Sequence, residues 1–257
     1  MITLKNISFS YNKKRILQNI NINFERGKIY TILGVNGSGK TTLLNIAGRL
    51  LYPNSGEIYL ENKEYSNYSK REFAKRVAFL PQTRDIPSIC VYELISHGRF
   101  PHLGFSRNLT TKDRDIIDSA LSLTNLQDLK NKNLTELSGG ERQRAYIGML
   151  LAQESDFVLL DEPTTYLDPS YTYDIFNILK KMKADNKCII LVLHDIISSL
   201  KISDKIILLN DGYITQFDSP KKLIESNLLK DIFNIECINI HLCDEDEYII
   251  RQKLSCN

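Results

Sequence analysis

Two glycine-rich segments could each hold an anion. GVNGSGKT occupies residues 34–41 and LSGGERQR residues 137–144. The first has the spacing G-x-x-x-x-G-K-[ST], in which backbone N–H groups of a tight loop converge on phosphate oxygens. Gly34, Gly37 and Gly39 permit that loop, and a helix starting near Lys40 would add its positive end. In this arrangement Lys40 reaches the β- and γ-phosphates and the Thr41 hydroxyl ligates Mg²⁺. Val35, Asn36, Ser38 and Thr42 complete the expected contact set. A glycine-rich turn with a surface lysine is the bland alternative, and the strand–loop–helix context weighs against it.

Phosphate chemistry also needs an acid to hold the metal, placed at the end of a neighbouring strand. Asp161 follows the apolar run FVLL, and Glu162 comes next. A carboxylate one residue beyond the metal acid can polarise an attacking water, worth about 10²–10⁴-fold in rate. The competing reading makes both acids strand-end caps, which Pro163 and Thr164 would suit. His194 ends CIILVLH, and ligands gather at the C-terminal ends of parallel strands. A histidine there can orient the site or be structural. Ser138, Gly139 and Gly140 precede the helical stretch ERQRAYIGMLLAQ, as a second anion cradle or as a plain helix N-cap.

The intervening patterns give the frame that must position these groups. Residues 2–24 alternate apolar and polar, as strands with one exposed face. KIYTILG (28–34), DFVLLDE (156–162), CIILVLHD (188–195) and KIILLNDG (205–212) read as buried strands, and RVAFLPQ (76–82) as a short one. Residues 41–51 read as a helix stopped by Pro53, 55–65 as a strand, and 170–185 as a helix. Apolar strands alternating with helices predict a parallel sheet covered on both faces. Strand signals vanish between 86 and 150, where 91–98, 111–124 and the stretch after Gly140 read as an inserted helical lobe. Thr110 or Thr111 would cap its middle helix. Residues 236–254 read as a hairpin around the acidic turn DEDE.

Bulk properties exclude several classes. The 257 residues are 42% apolar and 25% charged, enough for a true core. A net charge of +2 from 33 basic and 31 acidic residues gives no case for nucleic-acid binding. Five cysteines without a CxxC pair, and no leader pattern, suggest reduced thiols in the cytosol. Apolar runs such as IILVL fall far short of the roughly 20 residues that span a bilayer, so a soluble chain is expected.

GVNGSGKT, Pro81-Gln82, LSGGERQ, FVLLDEP, Leu167-Asp168 and His194 occur in the order and spacing of the ATP-binding cassette (ABC) ATPases. The chain resembles that family over about residues 1–220. The resemblance implies an α/β P-loop NTPase core, mostly parallel, with an antiparallel β subdomain and the inserted α-helical subdomain (about 86–150). Residues 221–257 would form a C-terminal helix and hairpin extension. It implies that Tyr11 stacks on adenine, that Gln82 contacts Mg²⁺ or the water, and that Asp168 lies in a loop crossing between subunits. It further implies a homodimer in which the P-loop of one copy and the signature of the other enclose one ATP. Ser138, Gly139 and Gly140, with Glu141 and Gln143, would then serve the opposite subunit's ATP.

Within the lobe, VYELISHGRFPHLGF and TTKDRDIIDSAL resemble the cassettes of bacterial importers for iron–siderophore complexes, haem and vitamin B12. That resemblance implies a peripheral subunit on the cytoplasmic face of the membrane. It would power uptake through a permease fed by an extracytoplasmic substrate-binding protein. The permease's coupling helix would dock between Gln82 and about Phe105. A cofactor-assembly scaffold, another metal importer and an exporter subunit are the alternatives. Tyr166 and the aromatic-rich SYTY at 170–173 are small departures within the family's range. Cys237, His241 and Cys243, with Cys256, suggest a metal only weakly, because C-x3-H-x-C is no usual zinc spacing. His97, Arg99 and His102 read as lobe structure or permease contacts.

Overall fold

The structure is a computed structural model that describes residues 1–82, 85–104, 108–165, 167–242 and 245–252. Phe105, Tyr166, Cys243 and Cys256 lie outside the described residues. Strands β1 (Ile2–Tyr11), β2 (Lys14–Phe24), β4 (Ser55–Leu60) and β5 (Lys63–Glu64) form an antiparallel sheet in the order β2-β1-β4-β5. The central sheet holds β3 (Ile29–Leu33), β6 (Val77–Leu80), β7 (Phe157–Asp161), β8 (Cys188–Val192), β9 (Lys205–Asn210) and β10 (Tyr213–Asp218). Its order is β10-β9-β3-β8-β7-β6, parallel throughout except for the β10 edge. Non-sequential neighbours require crossovers, and helices supply them. They are α1 (Lys40–Ala47), α2 (Lys70–Arg76), α3 (Val91–His97), α4 (Thr111–Leu123), α5 (Gly139–Gln153), α6 (Pro169–Ala184) and α7 (Ile196–Ile202). The chain continues with α8 (Pro220–Glu225), α9 (Leu228–Phe233) and the hairpin β11 (Ile235–Leu242)–β12 (Glu245–Gln252).

Side-chain alternation explains the layering. Strands β3, β7 and β8 are buried at every residue, so each needs partners on both faces. Leu159 and Ile190 point to the face shared with β1, β2 and α1, where Leu4, Phe24 and Leu43 pack. Leu160 and Leu191 point to the opposite face, where Ala145 and Ile147 of α5 and Ile175 and Leu179 of α6 cover them. A smaller cluster joins Leu200 of α7, Leu208, Leu223 and Leu229, with Cys237 and Tyr248 of the hairpin against it. Cys237 is half-buried, and burial pushes its thiol pKa up. Among the described residues no group of three or more His, Cys, Asp or Glu side chains is placed to hold a metal.

Two sequence expectations are corrected. Helix α1 ends at Ala47 rather than Leu51, because Gly48 caps it and Arg49 turns left-handed at φ 59°. The strand expected over 55–65 is broken at Glu61 and Asn62, whose φ values of 49° and 67° make the tight turn between β4 and β5. Helix α2 was not expected, although Ser69 and Glu72 form a complete capping box at its start. Thr110, not Thr111, caps α4.

Candidate nucleotide site

The 34–41 loop leaves β3 and enters α1, and its glycines have steric reasons. A Cβ on Gly34 would sit 2.2 Å from the Leu209 carbonyl oxygen of β9. Gly39, at φ 102°, is the left-handed N-cap of α1. Lys40 is buried, and its Nζ donates to the Gly34 and Val35 carbonyl oxygens at 3.0 Å each. Burial pushes its pKa down, against the raising effect of Glu162 and Asp161. Ser38 Oγ is buried with no hydrogen-bond partner. A phosphate oxygen arriving in the loop would give that hydroxyl the partner it lacks.

Two strand ends complete the site. Thr41 Oγ1 donates to Asp161 Oδ1 at 3.2 Å, and burial raises the Asp161 pKa. These are hard oxygen donors side by side, the set that Mg²⁺ prefers. Glu162 sits at φ 50°, a left-handed conformation rare for a non-glycine residue. The loop holds it there because its N–H donates to the Val192 carbonyl oxygen at the end of β8. Its carboxylate is almost fully enclosed. Oε2 accepts from Gln82 Nε2 at 2.6 Å and from Thr165 Oγ1 at 3.1 Å, and Oε1 meets His194 Nε2.

A cavity of about 430 Å³ opens over this loop. Lys14 and Ile16 of β2, Asn36, Gly37, Lys40, Thr41, Glu162 and His194 are among its lining residues. The P-loop, Asp161, Glu162, Gln82 and His194 are thus brought together as the sequence placed them. Thr165, Lys14 and Ile16 were not foreseen. Thr165 lies three residues after Glu162, but no spacing rule says its hydroxyl turns back. Tyr11 is 51% exposed and packs edge-on against Phe9 at 4.8 Å, outside the cavity wall, opposite Lys14 in the hairpin register. A larger cavity, about 980 Å³, lies between α6, α7 and β12 and shares none of these lining residues.

The second glycine segment stands apart. None of Ser138, Gly139 and Gly140 is among the described residues lining the P-loop cavity. Ser138 caps α5: its Oγ accepts the Glu141 N–H at 3.3 Å, and Glu141 Oε2 accepts the Ser138 N–H at 2.8 Å. Those hydrogen bonds to the Ser138 N–H and hydroxyl hold the Glu141 pKa down. Gln143 turns inward and donates from Nε2 to the Pro163 carbonyl oxygen at 2.7 Å. Glu141 and Gln143 are therefore committed inside their own chain, while Ser138 and Gly139 are exposed. Asp168 is exposed at the N-cap of α6.

Comparison with known proteins gives the family. The family profile described as ABC transporter matches residues 17–165. The petrobactin import ATP-binding protein FpuC of Bacillus anthracis is 35% identical over 257 residues, covering 99% of this chain and 94% of the relative. The iron(3+)-hydroxamate import ATP-binding protein FhuC of Bacillus subtilis is 37% identical over 238 residues, 91% of this chain and 88% of the relative. A dimeric structure of a bacterial ABC transporter cassette superposes with a TM-score of 0.76 at 30% identity, covering 86% of this chain and 99% of that one. The chain whose P-loop, strand-end acids and capped signature helix are laid out above belongs to the ABC transporter family, as one of its ATP-hydrolysing cassettes.

Proposed function

We propose that this chain is the ATP-hydrolysing subunit of an importer for siderophore-bound iron, acting as a homodimer beneath membrane permease subunits. The importer assignment rests on relatives such as FpuC and FhuC, whose names specify petrobactin and iron(3+)-hydroxamate import. The described helices include none long and apolar enough to cross a membrane, which suits a subunit that reaches the cytoplasmic face through a partner. An extracytoplasmic binding protein would choose the cargo.

The observation that carries the two-copy reading is Gly139. A Cβ there would meet nothing within 4 Å, so packing inside the chain gives no reason for a glycine. The reason then lies outside the chain, in a phosphate approaching from a second copy whose P-loop cavity has no signature residue among its described lining residues. Gly139→Tyr is accordingly expected to leave the thermal melting midpoint unchanged and to abolish pairing induced by ATP, read by light scattering. Pairing at the wild-type ATP concentration would sink the reading.

In this scheme Gly34 through Thr42 grip the triphosphate, Lys40 releases the loop carbonyls for the β- and γ-phosphates, and Tyr11 closes over the base. Thr41, Asp161 and Gln82 would hold Mg²⁺, which would supply charge neutralisation for phosphoryl transfer. Glu162 takes a proton from the attacking water as the water oxygen bonds phosphorus and the bond to the ADP oxygen breaks. His194 and Gln82 keep that carboxylate aimed. Asp168 reaches across the seam. The transport assignment is tested in cells whose only copy carries Lys40→Ala. They should fail to accumulate a radiolabelled ferric siderophore while amino-acid uptake continues, and retained iron uptake would overturn it.

A further inference from the structure

The two signature glycines have different neighbours. A Cβ on Gly139 would face open space, whereas one on Gly140 would lie 2.5–2.7 Å from Cγ, Cδ1 and Cδ2 of Tyr171. No rotamer change of a lone methyl relieves that contact, so the ring and a side chain at 140 exclude each other. Tyr171 stands in the first turn of α6, three residues after Asp168. Arg144, one turn beyond Gly140 in α5, sets its guanidinium carbon 5.1 Å from the centre of the same ring. Arg144 also pairs with Asp174, one turn beyond Tyr171, at 3.3 Å. One aromatic ring is thus gripped between two successive turns of the signature helix, and an ion pair closes the joint.

We propose that Tyr171 is a positioning residue that makes the signature helix and the Asp168 segment move as one unit, its ring filling the space that Gly140 leaves without a side chain. The inference rests on the reading above in which both elements reach the nucleotide of a second copy. Ser138 and Gly139 are exposed at the helix start, and Gly140 beside them also leaves the seat for Tyr171. The coupling is built from this chain's aromatic run SYTY. It delivers both crossing elements to the seam in fixed register, so that neither must be ordered separately when ATP arrives.

The test uses the full chain with Glu162→Gln, which holds ATP unhydrolysed, and reads the ATP concentration that gives half-maximal pairing. Tyr171→Ala should raise that concentration about tenfold, a coupling within the range measured for residues in contact. Tyr171→Phe keeps the ring and should match the parent. Gly140→Ala should raise it at least as far, and Gly140→Ala combined with Tyr171→Ala should be no worse than Tyr171→Ala alone. Binding of a fluorescent ATP analogue to the P-loop of the unpaired chain should stay at the parent value in all of them. Additive costs in the double variant overturn the proposal, as does a Tyr171→Phe variant as weak as Tyr171→Ala. A parent that never pairs on ATP brings down the seam reading, and this proposal with it. A parent that pairs, with variants indifferent to the ring, brings down the proposal alone.

Discussion

Glu162→Gln should lower ATP turnover by about 100-fold or more while leaving ATP binding intact. A group that takes the proton of attacking water contributes about 10²–10⁴-fold, and the amide has the same shape without the basicity. The enclosure of Glu162 makes this substitution clean. Gln82 Nε2 and Thr165 Oγ1 donate to one oxygen and His194 meets the other, so an amide can fill the same space without disturbing the fold. The P-loop contacts do not involve this side chain, so the ATP concentration for half-saturation should remain at the wild-type value. Steady-state turnover and equilibrium nucleotide binding, measured on the same preparation, separate the two. Turnover within tenfold of wild type would remove Glu162 from the chemistry, whatever its geometry.

The candidate nucleotide site was legible in the sequence because its chemistry is local. A phosphate cradle needs several N–H groups from one short loop, so GVNGSGKT carries its own signal. Asp161, Glu162 and His194 were legible because parallel strands that are apolar throughout end where ligands bind, and each residue stands at such an end. Thr165 and the Gly140–Tyr171 contact were not legible for the same reason in reverse. They depend on how a loop turns back and on which ring of α6 meets which turn of α5, some 30 residues apart in sequence. The SYTY run announces aromatic residues without naming their partners. Helix α2 is a different case: Ser69-x-x-Glu72 is a local signal, outweighed by the strand patterns on either side. Strand β10 is half-exposed at a sheet edge, where packing constrains the alternation of residue types only weakly. Asp168 was placed by family spacing, and Ser138 by the glycines that follow it. Alone, this chain presents them as exposed residues at helix starts.

Arg99→Leu should destabilise the folded chain by about 3–5 kcal/mol, the cost of leaving one partner of a buried ion pair uncompensated. Arg99 is only 4% exposed, and every contact it makes ties the helical lobe together. Its Nε donates to Asp113 Oδ1 at 2.8 Å, and its Nη1 donates to the Ala152 carbonyl oxygen and to Glu154 Oε2, each at 2.8 Å. These bonds join the residues after α3, the first turn of α4 and the end of α5, the helix that carries Ser138. A lysine offers no planar fork, so Arg99→Lys should recover little. The urea midpoint should fall with the slope unchanged, and a fall worth less than about 1 kcal/mol would show that the lobe relaxes around the loss. Acid titration reads the same network from its other side. The Thr110 hydroxyl, its backbone N–H and Arg99 together hold the Asp113 pKa at about 2, below the ordinary 3.8. Folding therefore favours the ionised carboxylate. Its contribution is whole above the ordinary value and fades as pH falls through about 2. Asp113→Asn should weaken the chain at neutral pH, where Arg99 keeps only Glu154 of its two counter-charges, and should flatten the loss of stability between about pH 4 and pH 2. If that acid limb were as steep in the variant as in the wild type, the carboxylate would not be carrying the lobe, and the joint between α3, α4 and α5 would have to rest on its apolar contacts and on the Arg99 bonds to Ala152 and Glu154.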